Sequence, residues 1–306
     1  MSSDQNVCVI LNEKSGDHPE GTSRRARLET LLSENGLQAH ILTPQPGRAL
    51  GETARRALDR GCKMLVAAGG DGTICAVAEA CHAADAPMGV IPQGTFNYFA
   101  RGLGIPEDMA GAVRVLATGQ KRGVRLGEVN GEVFLNNASL GLYPLILNKR
   151  EGVYNRWGRS RIAAYWSVVL TLSGFRRPMK LRINRDGEET RLRTPLAFVA
   201  NSAFQLEQFN LDGADEVRAG RFAMLTSRAD TRGALARHAL RLANGWAARG
   251  EDFDLMTGED ILVDTGRKRA LVARDGEKSL MRAPVRFRLR ERPLQVVVPG
   301  DDTEDG

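Results

Sequence analysis

Short apolar runs alternating with segments of helical spacing fill the first part of the chain, and that alternation constrains the fold more than any other feature. Val7–Leu11 is an apolar strand. Residues 23–35 follow with Ala26, Leu28, Leu31 and Leu32 on one helical face, and Gly36 stands where a C-terminal glycine cap belongs. A second strand is expected at 39–43, a turn at 44–47, and a helix over 48–60 closed by Gly61. Residues 63–68 and 88–91 read as the third and fourth strands, and 106–117 as a further helix. Strands alternating with helices in this way predict a mainly parallel sheet covered on both faces, with ligands received at the carboxyl ends of the strands.

Three of those strands run into polar turns: Asn12-Glu13-Lys14-Ser15-Gly16, Gly69-Gly70-Asp71-Gly72-Thr73 and Gly94-Thr95-Phe96-Asn97. The parallel arrangement brings them to one edge of the sheet. The middle turn joins a run of small apolar residues to the helix-compatible stretch 74–84. Glycine lets the backbone approach an anion closely, a helix start offers unpaired N–H donors, and Thr73 adds a hydroxyl. Asp71 among those donors would repel a phosphate unless it carries a metal ion or takes a proton from a nucleophile, so glycines with one acid point to phosphoryl transfer more than to passive anion binding. The same residues also read as an ordinary tight turn with an aspartate cap.

From about Gln120 the pattern becomes one of short strands with turn signals. Strands are expected at 124–129 and 133–139, joined by the hairpin pair Asn130-Gly131, then at 180–184, 191–193, 196–201, 222–227, 261–264, 270–274, 285–290 and 294–298, with helices over 160–172 and 232–249. The expected organisation is an α/β domain over 1–122, a β-rich domain over 123–299, and a disordered acidic tail over 300–306. In 153–175, Ile162, Tyr165, Trp166, Val169, Leu170 and Leu172 share a broad helical face flanked by Arg156, Arg159, Arg161, Arg176 and Arg177. This is the pattern of a helix held at an anionic membrane surface, and equally of a helix packed on the β domain with solvated arginines at its ends.

The net charge of +6 favours anionic ligands or surfaces without choosing among nucleic acid, nucleotide and lipid. No run reaches the roughly 18 to 20 apolar residues that span a bilayer. The opening MSSDQNVCVIL lacks a secretory leader pattern, so cytoplasmic residence is expected, with any membrane contact peripheral on the inner face. Cys8, Cys62, Cys75 and Cys81 lack zinc-site spacing and are expected as reduced, packed thiols.

The GGDGT loop, the PQGTFNYFARGLGIP run, the FLNNASLGLYP strand and the late ARDGE hairpin occur in an order that resembles the bacterial branch of the diacylglycerol kinase catalytic-domain family, to which sphingosine and ceramide kinases are related. GGDGT alone also occurs in NAD kinases; the later elements at this spacing make the resemblance specific. The resemblance implies a Rossmann-like, three-layer α/β domain followed by a β-sandwich, with the active site in the cleft between them. The implied function is that of an ATP-dependent lipid kinase, with Mg2+ as cofactor and a lipid hydroxyl of the diacylglycerol or sphingoid type as acceptor, met at a membrane surface rather than on nucleic acid. The implied nucleotide contacts are Asn12, Ser15, Gly16, Thr43, Gly69, Gly70, Asp71, Gly72, Thr73, Gly94, Thr95 and Asn97. Asp275 is the first choice for general base, Glu277 the second, and Asp71 a metal or proton partner.

The resemblance has departures. Tyr98 and Cys75 stand where many relatives carry an acid and an asparagine. Ala219 stands where relatives usually carry an aspartate that helps hold a structural magnesium, so that second site is expected to be absent or rebuilt around Asp215 and Glu216. Two alternatives stay open: a relative that binds nucleotide or lipid without turnover, and a soluble NAD or sugar kinase.

Overall fold

The computed structural model describes residues 7–13, 23–44, 49–141, 178–229, 231, 233–235, 237 and 252–300. The expected amphipathic segment 153–175, most of the helix over 232–249, Ser15, Gly16 and the tail beyond Gly300 lie outside the described residues. The chain divides into two compact units, Met1–Leu126 with Glu291–Gly306, and Gly127–Arg290.

The first unit runs β1 (Val7–Leu11), α1 (Arg24–Glu34), β2 (Ala39–Leu42), α2 (Leu50–Asp59), β3 (Met64–Gly69), α3 (Asp71–Ala84), β4 (Met88–Pro92), α4 (Tyr98–Gly102), α5 (Met109–Thr118) and β5 (Gln120–Val124). Its six-stranded sheet has the order β2-β1-β3-β4-β18-β5, where β18 (Leu294–Val298) is the last strand of the chain. The first four strands and β18 are parallel, and only β5 runs against its neighbour. Every residue of β1, β3 and β4 is buried, as strands covered on both faces require. Helix α2 packs on α3, and α1 on α5. Side chains cap two of these helices: Ser23 Oγ accepts the Ala26 N–H at 3.1 Å at α1, and Asp108 Oδ1 the Gly111 N–H at 2.7 Å at α5.

The chain therefore returns to its first unit at the end. β18 lies between β4 and β5, with Val296 opposite Met88 on one side and Arg122 on the other, so residues 294–298 belong to the α/β sheet rather than to the β-rich unit. Residues 124–129 are likewise not one strand. They split between β5 and the first strand of the second unit.

The second unit contains β6 (Gly127–Val129), β7 (Glu132–Phe134), β8 (Asn137–Gly141), β9 (Met179–Arg185), β10 (Glu188–Thr194), β11 (Leu196–Ala200), the short helices α6 (Ala203–Gln208) and α7 (Ala214–Arg218), and β12 (Phe222–Ser227). It continues through β13 (Phe253–Gly258), β14 (Asp260–Asp264), β15 (Arg269–Arg274), β16 (Glu277–Arg282) and β17 (Val285–Leu289). Two six-stranded sheets result, β10-β9-β14-β17-β6-β7 and β13-β12-β11-β8-β15-β16. Alternate residues of both meet in one core, with Val129, Ile183, Val263 and Phe287 from the first sheet and Leu140, Val199, Met224 and Val272 from the second. This is a β-sandwich. Phe134 anchors it, its ring stacked on Phe222 and edge-on to Phe287.

Not all cysteines are reduced. Cys8 and Cys62 are joined in a disulfide with their Cα atoms 6.1 Å apart, within the range a disulfide spans. The pair is 54 residues apart in sequence, and the parallel pairing of β1 with β3 closes that distance, since Cys62 sits two residues ahead of β3. Cys75 and Cys81 are buried thiols, as expected.

Candidate functional site

In the first sheet β1 lies between β2 and β3, so the chain turns to one side after β1 and to the other to form β3. Ligands of open α/β sheets bind at such a reversal, outside the carboxyl ends of the strands. The residues there are Asn12, directly after β1, and Gly69 to Thr73, after β3. Asn12 joins the two ends: its N–H donates to Ala68 O at 2.9 Å and its Nδ2 to Thr73 Oγ1 at 3.0 Å. Thr43 follows β2 at the same edge.

The expected start of α3 was residue 74, and the observed start is Asp71. Gly72 and Thr73 thus lie in the first turn of the helix rather than in a loop before it. Gly70 is the N-cap residue and has no side chain with which to cap, so the open end of a 14-residue helix faces the edge of the sheet.

Two glycines here have steric reasons. A Cβ on Gly69 would lie 2.5 Å from Thr73 Oγ1, and one on Gly94 would lie 2.8 Å from both Asn97 Oδ1 and Gly70 Cα. The turn after β4 is therefore packed backbone to backbone against the turn after β3. Hydrogen bonds fix that contact. Gln93 N–H donates to Gly69 O at 2.8 Å, and Asn97 N–H donates to Asp71 Oδ2 at 3.1 Å.

Asn97 organises its own turn. It is buried, adopts a left-handed φ of 48°, accepts the Gly94 N–H on Oδ1 at 2.9 Å, and donates from Nδ2 to Gly94 O at 3.1 Å and to Glu107 Oε1 at 2.9 Å. Glu107 also faces Arg101 at 3.7 Å. Neither Glu107 nor Gln93 was singled out in the sequence. Both lie beside the recognisable turn and carry no motif of their own. Thr95 is exposed, and the rings of Phe96 and Tyr98 stack at 5.5 Å on either side of Asn97.

The described residues of the first unit thus bring together Asn12, Gly69, Gly70, Asp71, Gly72, Thr73, Gly94 and Asn97. Such an arrangement can hold a polyanion: backbone N–H groups and a helix end supply the positive potential, and glycines leave room for the phosphates. Among the described residues no cluster of three His, Cys, Asp or Glu side chains could hold a metal ion. A divalent cation brought in with a polyanion would have Asp71 as the carboxylate at hand. Near Ala219, Asp215 and Glu216 are engaged with Arg218 at 2.9 Å and Arg221 at 3.5 Å.

In the second unit Asp275 and Gly276 take positive φ values of 43° and 89°, the backbone of a type I′ turn joining β15 to β16. The Asp275 side chain does more than turn the chain. Oδ2 accepts the Leu135 N–H at 2.6 Å, and Oδ1 accepts those of Asn136 and Asn137 at 2.8 and 3.1 Å. One carboxylate therefore holds the corner between β7 and β8. Asn201 secures the same corner by donating from Nδ2 to Leu135 O and from its N–H to Asn136 O. Asn137 Nδ2 donates to Gln205 Oε1 at 2.9 Å, while Asn136 Oδ1, Asn137 Oδ1 and Ser139 Oγ are buried with no hydrogen-bond partner among the described residues. Glu277, two residues on, is exposed.

Residues 6–129 match the model of the diacylglycerol kinase catalytic domain. Over those residues, which are less than half of the chain, the sequence is similar to the diacylglycerol kinase catalytic domain. The catalytic-domain match contains the three turns, whereas Asp275 and Glu277 lie beyond it. A diacylglycerol kinase of Bacillus subtilis is 36% identical over 139 residues, covering 44% of this chain and 45% of that protein. A Pseudomonas aeruginosa protein named a probable lipid kinase, YegS-like, is 47% identical over 87 residues, 28% of each chain. These alignments span less than half the length of the curated relatives. Likeness over the whole chain comes from structure. A solved diacylglycerol kinase from Bacillus anthracis superposes with a TM-score of 0.67 at 16% identity, and another chain from that organism reaches 0.72 at 18%; each covers 97% of this chain and 98% of the other. At such identity the likeness concerns the fold.

Proposed function

We propose that this protein is an ATP-dependent lipid kinase that transfers the γ-phosphoryl group to the hydroxyl of a diacylglycerol-like or sphingoid lipid. The observation that carries the reading is the backbone contact of the Gly69-Gly70 and Gly94 turns at the open end of α3, inside the stretch similar to the diacylglycerol kinase catalytic domain. In this reading Asn12, Gly69 to Thr73, Gly94, Thr95 and Asn97 hold the nucleotide, with Ser15, Gly16 and Thr43 completing the set. Mg2+, bound through the phosphates with Asp71 near it, would offset the charge gathering on the transferred group.

The acceptor hydroxyl loses its proton as its oxygen bonds to the γ-phosphorus, the bond to the β-phosphate oxygen breaks, and ADP leaves. The proton goes to a carboxylate. Asp275 and Glu277 are the candidates, and the structure weighs on the choice between them. Both Asp275 oxygens already hold backbone N–H groups, which leaves the exposed Glu277 the less committed of the two. The buried acceptors of Asn136 and Asn137 suit a hydroxyl-bearing lipid head.

The test is transfer of label from γ-labelled ATP to a panel of lipids. Label in a solvent-extractable product supports the proposal, and label only in water-soluble product contradicts it. A second reading, a relative that binds without turnover, draws on Ala219 and on the structural employment of Asp275. It predicts ATP binding with no transfer to any lipid of the panel.

A further inference from the structure

The outer strands of one sandwich sheet carry an unusual pairing of charges. β9 and β10 are antiparallel, with Lys180 opposite Arg193 and Arg182 opposite Arg191. All four side chains are exposed, while Leu181 and Ile183 between them enter the core and Leu192 packs against it. Like charges directly opposite on neighbouring strands repel. Here two such pairs stand side by side at the edge of the sheet, since β10 is its outermost strand.

The surroundings remove two of these charges and supply two more. Asp264 of β14 binds Arg182 at 2.7 Å and Glu189 binds Arg191 at 2.9 Å. Gly266, Asp264 and the β9–β10 residues line a shallow concavity of about 510 Å³, and the same loop continues into exposed Arg267 and Lys268. Among the described residues, Lys180, Arg193, Arg267 and Lys268 have no acidic partner. The lowered pKa of Asp264 follows the Gly266 N–H first and Arg182 second, so that acid is already committed.

We infer that this face docks the protein on an anionic phospholipid bilayer. The occupant follows from shape and chemistry. The cations lie in two parallel rows on a sheet face rather than around a deep pocket, which matches a surface of many phosphates better than one small anion. No aromatic on which a base could stack is among the residues that line the concavity, unlike single-strand nucleic-acid sites. Basic residues close to an anionic leaflet each strengthen binding, by roughly fivefold apiece. The inference rests on register and charge; the lipid-kinase reading supplies its use, because a lipid acceptor must be met at the bilayer.

The test is co-sedimentation of the full chain with phosphatidylcholine vesicles with and without phosphatidylglycerol. Wild type is expected to bind only the anionic vesicles, and less as salt is raised. Lys180→Glu together with Arg193→Glu is expected to weaken that binding by roughly tenfold or more, on the same per-residue scale. Arg193→Glu alone places an acid opposite Lys180, so its melting temperature should hold or rise, which separates lost docking from lost folding. Binding of the double variant equal to wild type, or no preference of wild type for anionic vesicles, overturns the inference. So does a variant that loses binding to duplex DNA while keeping its vesicles. Binding that depends on these residues in a protein that transfers no phosphate leaves the inference standing and removes the kinase reading instead.

Discussion

The two units secure their polar corners by opposite means. In the first, the turns after β3 and β4 meet through glycine backbone, and side chains such as Asn97 and Asp71 hold a contact that main-chain shape already permits. In the second, the corner between β7 and β8 is held chiefly by one carboxylate, with three N–H groups of consecutive residues ending on Asp275 and Asn201 binding the carbonyls of the same corner. A site built on backbone should fail when atoms are added to it. One built on a carboxylate should fail when charge is taken away.

The sharpest test of that contrast is the pair Asp275 and Glu277. If Glu277 takes the acceptor's proton, Glu277→Gln lowers kcat by about 10²–10⁴-fold with stability unchanged. Asp275→Asn should lose activity and also destabilise the second unit by about 1–3 kcal/mol, because the Leu135 N–H would then face an amide donor instead of Oδ2. Steady-state rates with urea unfolding of each variant separate the two roles. Equal loss of stability in both variants would break the distinction.

Next in size is Gly94→Ala. Its methyl group would stand 2.8 Å from Asn97 Oδ1 and from Gly70 Cα, so the two turns must part, and ATP-dependent kcat/KM should fall roughly 10²-fold, as for a misplacement of about 1 Å. A variant with wild-type kinetics would show that the turns need not touch.

A smaller effect concerns the cysteines. Denatured without reductant, the protein should titrate two thiols rather than four, and Cys8→Ser should lower stability by roughly 2–4 kcal/mol. In the folded protein, burial pushes the Cys81 thiol up to about 12, so Cys81 should resist alkylation near neutral pH.

The least effect is expected from acid. Asp260 and Asp264 are held below the usual aspartate range, Asp260 mainly by its hydrogen bond from Arg286 and Asp264 mainly by the Gly266 N–H. A carboxylate whose pKa is lower folded than unfolded stabilises the fold above its unfolded value and loses that contribution as pH falls through the folded one, here below about pH 4. Both pairs are solvent-exposed, so the melting temperature should fall only slightly less with acid in Arg286→Ala than in wild type.

The legibility of the sequence follows the same division. Glycine turns after apolar strands are written locally, and those at Gly69 and Gly94 were readable; of the turn after β1 only Asn12 and Glu13 are among the described residues. The start of α3 was misplaced by three residues because the glycines that mark a turn also form the first helical turn here. The placement of Leu294–Val298 was not readable, since nothing in a strand's own residues names the sheet it joins. The strands Phe253–Gly258 and Glu277–Arg282 escaped notice because neither shows a regular alternation of buried and exposed residues. The Asp275-Gly276 pair was read both as a hairpin turn and as a source of catalytic acid. The structure adds a third employment, the hold on residues 135–137, which spans about 140 positions of sequence and has no local mark.

The central claim, that the two glycine turns and the open end of α3 form a triphosphate site, is tested most directly by amide hydrogen exchange with and without Mg-ATP. The account predicts slowed exchange at Gly70, Gly72, Thr73 and Gly94, and no comparable change at Leu135 to Asn137. ATP bound at saturation with the exchange of those four amides unaltered would contradict it.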